Sequence, residues 1–234
     1  MNDKNIKDNF NSESLPNQDD LNKWKNVKFN LAIIGESTPL KHIFMNKLAG
    51  INLDEVSKDE QLVKIENQTS TPHVNNKNFL IWDLEKIESP SKLNEENGKQ
   101  EFENFDLFII FKENQLTDRD LILAKQIESL NKKVYFVTVF DLVQNGNEHV
   151  KEEKNYYLVT SNFNNSIISK LNIDIFNNLN SQEKKNAFLL TIEPLSKEII
   201  EKKSALLATR THNVALISSI FGKLISLPTL SIVA

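Results

Sequence analysis

Short apolar runs alternate along this chain with segments that carry the spacing of amphipathic helices. The first run, residues 27–34, contains Phe29, Leu31, Ala32, Ile33 and Ile34 and ends at Gly35, as expected of a buried strand followed by a turn. Runs of the same kind predict further strands at residues 62–65, 79–82, 105–111, 134–140 and 156–160.

Helical spacing appears between these runs. Residues 40–48 place Ile43, Phe44 and Leu48 on one face, and Thr117 with Asp120 three positions later resembles a helix start. From Asn164 onward the chain is predicted to be mainly helical, with Pro194 opening a helix that runs to about residue 210.

Strands that alternate with helices predict an α/β fold with a mostly parallel sheet covered on both faces. Residues 1–26 are rich in Asn, Asp and Lys without a clear period, and we expect a disordered or loosely helical tail there. Residues 87–99 contain Pro90, Gly98 and many charges, which predicts an exposed loop.

Composition narrows the function classes. The formal net charge is −4, with charges of both signs mixed along the 234 residues, so no basic stripe favours nucleic acid. The chain has no cysteine, and its four histidines lack the spacing of metal-ligand pairs, so we expect no metal site. The start carries no secretory signal, and Asn2 stands where myristoylation needs glycine, which predicts a cytoplasmic protein.

The turn after the first strand is the main candidate for chemistry. Residues 35–42 read Gly-Glu-Ser-Thr-Pro-Leu-Lys-His, which has the length of the phosphate-binding motif G-x-x-x-x-G-K-[ST]. Gly35 and Lys41 match this motif. A glycine loop that leads into a helix N-terminus presents backbone N–H groups to a phosphate.

Two positions of this loop, Leu40 and His42, depart from the motif, and Pro39 further weakens the loop. Leu40 replaces the second glycine, so a Cβ stands where the backbone should approach the phosphates, and Pro39 removes an N–H donor. His42 replaces the hydroxyl that would bind Mg²⁺. We therefore expect the missing hydroxyl at position 42 to impair hydrolysis more than nucleotide binding.

An ordered series of segments resembles the immunity-related, interferon-inducible GTPases, a dynamin-like family. The similar segments are residues 29–37, the helix and glycine at 44–50, Thr71-Pro72-His73, residues 78–84 with Trp82-Asp83-Leu84, 105–110, 120–127, 132–137, Ile200-Glu201-Lys202-Lys203 and Leu227-Pro228-Thr229-Leu230. The resemblance implies a P-loop NTPase-like, Ras-like G domain at residues 27–181, with 182–234 as the start of a helical domain.

The resemblance also implies positions for nucleotide contacts. These positions are Gly35, Glu36, Ser37, Lys41, His42, Asp83, Thr138, Asp141, Ser161 and Asn162. Asp83 would face the metal side, although Glu85-Lys86 lacks the family's γ-phosphate-sensing glycine. Asp141 would pair with the guanine edge and Ser161-Asn162 would lie beside the base, but the family's lysine over the base is absent.

Each retained residue has another interpretation. Lys41 also fits a solvated lysine at a helix start, Asp83 an aspartate that ends a strand, and Asp141 a turn or helix cap. For the C-terminal apolar stretch, residues 214–234, two interpretations stay open. It is interrupted by Gly222, Lys223 and Pro228, so it packs as a helical hairpin or contacts an intracellular membrane surface.

These observations predict a pseudo-GTPase of cell-autonomous innate immunity. We expect weak or no binding of GTP or GDP, no bound Mg²⁺, no catalytic residues, and contacts through the G domain with related GTPases or with a second copy. A divergent GTPase with slow hydrolysis and a membrane-associated scaffold are the alternatives.

Overall fold

A computed structural model describes residues 22–36, 38–51, 70–84, 102–113, 115–139, 155–159 and 163–210. Its strands are β1 (Phe29–Ile34), β2 (Ser70–His73), β3 (Asn76–Leu84), β4 (Leu107–Lys112), β5 (Lys133–Val139) and β6 (Tyr156–Val159). Its helices are α1 (Pro39–Leu48), α2 (Asp118–Ser129), α3 (Asn165–Asn178), α4 (Gln182–Thr191) and α5 (residues 197–210), after a short 3₁₀ helix at Lys23–Asn26.

The six strands form one sheet in the order β2-β3-β1-β4-β5-β6. All neighbours are parallel except the β2–β3 hairpin, so the carboxyl ends of β1, β3, β4, β5 and β6 meet at one edge of the sheet. Beside β1, the register pairs Ile33 with Asp83 and Ile34 with Leu84. Residues that follow β1 and end β3 are therefore neighbours at this edge.

Each face of the sheet packs against helices because side chains alternate along every strand. On one face Phe29, Leu31 and Ile33 of β1 pack in a core cluster that also takes apolar side chains of α1, α3, α4 and α5. On the other face Ala32 and Ile34 pack against α2. The alternation in β1 thus distributes the helices over two layers.

At the amino end of β3, the β2–β3 hairpin docks on α4 through neutral polar groups. His73 is buried, stacks on Phe79 with ring centroids 5.5 Å apart, and accepts a hydrogen bond from Asn75 N–H at its Nδ1. The Asn76 amide lies 3.3 Å from the Thr191 hydroxyl of α4. Burial, with the charge of Lys203 second, lowers the pKa of His73 to about 4.

The predicted α/β fold is confirmed, as are the strands near residues 29, 79, 107, 134 and 156. The sequence interpretation missed β2 as a strand, gave β3 too few residues, and did not separate α4 from its neighbours. The predictions for residues 1–21, 62–65, 87–99 and 214–234 fall outside the described residues.

The predicted boundary at residue 182 stays a prediction. Phe188 of α4 packs in the main core within 5.4 Å of the Phe29 ring and 5.7 Å of the Phe79 ring, measured between ring centroids.

Within the described part of the chain, none of the helices has both the length and the apolar character that crossing a bilayer requires.

Candidate functional site

The candidate site lies at the carboxyl edge of the sheet, where β1 turns into α1. The Gly35 N–H donates to the Leu84 carbonyl at 3.2 Å, which extends the β1–β3 pairing by one residue. A Cβ on Gly35 would lie 2.5 Å from the Phe111 carbonyl oxygen of β4, a contact too short for any side chain. Glycine is therefore required here by its close approach to β4.

At the start of helix α1, the Lys41 and His42 N–H groups are already engaged. Pro39 is its first residue and has no N–H, while the Thr38 side chain accepts a hydrogen bond from the Lys41 N–H at 3.2 Å. The His42 N–H donates to the Thr38 carbonyl at 3.1 Å. The helix start thus satisfies these groups internally through an ordinary N-cap.

The Lys41 side chain is fully buried, and its ammonium group contacts three acceptors. It donates to the Gly35 carbonyl at 2.9 Å and to the Leu84 carbonyl at 2.8 Å, and it forms an ion pair with the Asp83 carboxylate. Two of its three N–H donors thus reach backbone carbonyls, and its charge is paired with a carboxylate of the protein.

The His42 imidazole completes this cluster from the next position of α1. Its Nε2 lies 3.0 Å from Asp83 Oδ2, while Oδ1 of the same carboxylate faces Lys41. The Asp83 and His42 side chains are 14% and 16% exposed, so water competes little for these contacts. We call Lys41, His42 and Asp83 the lysine–aspartate–histidine cluster.

A polar cleft of about 340 Å³ adjoins the cluster between the β1–α1 and β4–α2 loops. Its lining includes Glu36, Thr38, Lys112, Glu113 and Thr117. Lys112 lies 3.4 Å from an oxygen of the Asp120 carboxylate, which also accepts hydrogen bonds from Thr117. Burial alone would raise the pKa of Asp120, but Thr117 and Lys112 hold that pKa below its usual value.

On the side of the site where a base would lie, the structure describes only the ends of the relevant elements. Thr138 is buried in β5, between Lys112 of β4 and Leu158 of β6, and its hydroxyl has no hydrogen-bond partner among the described residues. Phe163 packs on Phe44 of α1 with ring centroids 5.5 Å apart, which anchors the start of α3 to the core.

The structure brings together four of the residues chosen from the sequence: Gly35, Lys41, His42 and Asp83. Glu36 lines the adjoining cleft, and Thr138 lies on β5, separated from β3 by β1 and β4. The remaining candidates, Ser37, Asp141, Ser161 and Asn162, lie outside the described residues.

Leu40 is helical, and its side chain packs against the core and does not fill the loop. The change from the motif therefore matters because a glycine is missing. The sequence interpretation overlooked two groups, the Thr38 side chain and the Leu84 carbonyl. A threonine directly before a proline is a known helix-start signal and could have identified the Thr38 cap. A backbone carbonyl leaves no signal in the sequence.

Comparison with known proteins identifies a family of GTPases. The model of the family "Interferon-inducible GTPase (IIGP)" matches residues 5–154, which is more than half of the chain. Two similar mouse proteins are Interferon-gamma-inducible GTPase 10, 31% identical over 120 residues, and Interferon-inducible GTPase 1, 31% identical over 122 residues.

These alignments cover 50% and 51% of this chain but only 29% and 30% of the two mouse proteins. The chain is therefore similar to less than a third of each relative's length. The matched region of the family model contains the β1–α1 loop, the end of β3 and the whole of β5. From the fold, the position of the loop and the family match together, this chain belongs to the interferon-inducible GTPase family.

Proposed function

We propose that this chain is a pseudo-GTPase of its family, which binds GTP or GDP weakly or not at all and does not hydrolyse GTP. One observation carries the proposal: the buried Lys41 ammonium donates hydrogen bonds to the Gly35 and Leu84 carbonyls and forms an ion pair with Asp83 of the same chain. In nucleotide-binding loops of this length, that lysine reaches the β- and γ-phosphates. Here those phosphates would have to displace an ion pair and two hydrogen bonds.

The backbone of the loop supports the same proposal. A phosphate cradle works through unengaged N–H groups that point at the anion. In this loop the N–H groups of Gly35, Lys41 and His42 already have protein acceptors, and Pro39 has no N–H. These four positions therefore offer a triphosphate no available N–H group without local rearrangement.

The donor set on the metal side also fits Mg²⁺ poorly. Mg²⁺ prefers oxygen ligands in octahedral geometry, and phosphate-binding loops supply a serine or threonine hydroxyl. His42 stands at that position, with its imidazole on the Asp83 carboxylate. We therefore assign no step of hydrolysis to these residues.

Calorimetric titration of the purified chain with GDP and GTP, with and without Mg²⁺, tests the proposal. We expect no affinity tighter than about 100 μM, equivalent to about 5.5 kcal/mol of binding free energy. We also expect no release of phosphate above the rate in buffer. Mg²⁺-dependent binding in the micromolar range, lost in Asp141→Ala and accompanied by phosphate release, would instead establish the divergent GTPase.

The second part of the proposal concerns partners. We propose that the chain acts in cell-autonomous immunity by contacting related GTPases, or a second copy, through its G domain. Membership of the interferon-inducible family supports this role. Biolayer interferometry against purified family GTPases, loaded with GDP or GTP, should detect association. Failure to associate with family members in both states, together with a monomeric sedimentation profile, would contradict it.

A further inference from the structure

The lysine–aspartate–histidine cluster ties three segments of the chain together. Lys41 and His42 belong to α1, the Gly35 carbonyl belongs to the loop after β1, and Asp83 and Leu84 end β3. In a nucleotide-binding loop, phosphate and metal would normally join these segments. Among the described residues, side chains and backbone carbonyls join them.

The charges within the cluster compensate one another. Lys41 donates hydrogen bonds to two backbone carbonyls, and each oxygen of the Asp83 carboxylate faces one basic side chain. Such compensation is needed because an ammonium that is fully shielded from water is costly unless charge and hydrogen bonds offset the loss of hydration. Lys41 therefore has protein groups that take the place of water.

Beyond the weak nucleotide binding proposed above, on which this step rests, we propose that the cluster is an autoinhibitory substitute for phosphate and metal. It holds the β1–α1 loop to the end of β3 in one arrangement and competes directly with a triphosphate for Lys41. The domain therefore keeps a single conformation whatever nucleotide is present. Its contacts with partners then do not depend on nucleotide.

Competition predicts that removing the Asp83 carboxylate strengthens anion binding. A ligand that binds only an open form has an apparent affinity reduced by the fraction of molecules that are open. In Asp83→Asn the Lys41 ammonium loses its anionic partner, so the open form becomes more populated. Inorganic tripolyphosphate, which has no base or ribose, probes this effect without the rest of the nucleotide site.

A matched control exists at the opposite end of the sheet. Asp106 precedes β4, forms an ion pair with Lys184, and has the same side-chain exposure as Asp83, 14%. Asp106→Asn therefore removes an equally shielded, lysine-paired carboxylate that is remote from the β1–α1 loop. Any general effect of losing such a carboxylate should appear in both variants.

The experiment is differential scanning fluorimetry and calorimetry of the full chain with tripolyphosphate. We expect the native chain and Asp106→Asn to show no rise in melting temperature. Asp83→Asn should melt at a lower temperature in buffer and bind tripolyphosphate at least about tenfold more tightly than the native chain. This gain should disappear in the double variant Asp83→Asn with Lys41→Met.

A second variant covers the case in which Asp83→Asn does not fold. His42→Ala releases one carboxylate oxygen while the Lys41–Asp83 pair remains, and it should give a smaller gain in tripolyphosphate affinity in the same direction. If no folded variant gains affinity for tripolyphosphate, the proposal that the cluster takes the place of phosphate and metal is overturned, while the pseudo-GTPase proposal stays intact. Tight GTP binding by the native chain would overturn both.

Discussion

The two ends of the sheet each pair a lysine with an aspartate at a strand boundary, but they bury the pair differently. At the carboxyl end, Lys41 is 0% exposed and has two further carbonyl acceptors. At the amino end, the Lys184 side chain is 37% exposed and its ammonium contacts Asp106. The first ammonium depends wholly on the protein, whereas water can solvate the second.

This difference predicts which of the two ion pairs contributes more to the stability of the fold. Removing one partner of a buried pair leaves an uncompensated charge, while an exposed pair contributes little because water and salt replace it. Of these two pairs, the lysine at the carboxyl end is the one more strongly shielded from water.

The largest effect is expected from Lys41→Met. The variant leaves the Asp83 carboxylate without its cation and the Gly35 and Leu84 carbonyls without a donor. The free energy of unfolding should fall by about 3–5 kcal/mol. Urea denaturation at neutral pH measures the change. A loss below about 1 kcal/mol would mean that Lys41 is not held in this network.

The sequence predicted the cluster only in part, for an identifiable physical reason. Gly35 and Lys41 were visible because they match a motif of fixed length. That Lys41 turns to the protein itself depends on the Leu84 carbonyl and on the β1–β3 register, and neither is written in side-chain identity. The alternatives of a solvated lysine at a helix start for Lys41 and of an ordinary strand-end aspartate for Asp83 are therefore resolved only by tertiary structure.

The same reasoning explains what was missed in the fold. Strand β3 begins with Asn76, which no apolar pattern marks, because this residue is buried by its contact with Thr191 and not by hydrophobicity. Strand β2 contains Pro72, which normally argues against a strand but is tolerated at the edge of a sheet. Strands β1, β4 and β5 were predicted because their apolar residues indicate that they are buried.

The second effect concerns pH and arises at the amino end. His73 has a pKa of about 4 when folded and about 6.5 when unfolded, so below pH 6.5 the unfolded chain binds more protons. The free energy of unfolding should therefore decrease by about 1.4 kcal/mol for each unit by which the pH is lowered below 6.5, or by about 3 kcal/mol at pH 4. Comparing urea unfolding of the native chain and His73→Gln at several pH values isolates this contribution.

Other groups titrate in the same range, so the difference between the two proteins is the relevant quantity. His73→Gln should be less stable than the native chain at neutral pH, because the stacking on Phe79 is altered. The difference in unfolding free energy between the two proteins should become smaller as the pH is lowered. Parallel pH profiles for the two proteins would show that His73 is accessible to protons in the folded state.

A third, smaller effect is expected at the start of α2. Asp120 accepts hydrogen bonds from the Thr117 N–H at 2.8 Å and from the Thr117 hydroxyl at 2.7 Å. Asp120→Ala should cost about 1–2 kcal/mol, the range for loss of a helix cap. Thermal unfolding monitored by circular dichroism measures this loss, and Asp118→Ala, an exposed change in the same turn, should cost less.

The smallest effect, and the sharpest contrast with Lys41→Met, is expected from Lys184→Met. More than a third of the Lys184 side chain is exposed, so water can replace Asp106 as its partner. The loss of unfolding free energy should stay below about 1 kcal/mol and shrink further at about 1 M salt, where screening is short-ranged. Asp106 retains the Asn30 N–H as a donor at 2.8 Å, so the carboxylate is not left without partners. If Lys184→Met proved as costly as Lys41→Met in the same urea experiment, burial would not be what separates the two ends of the sheet.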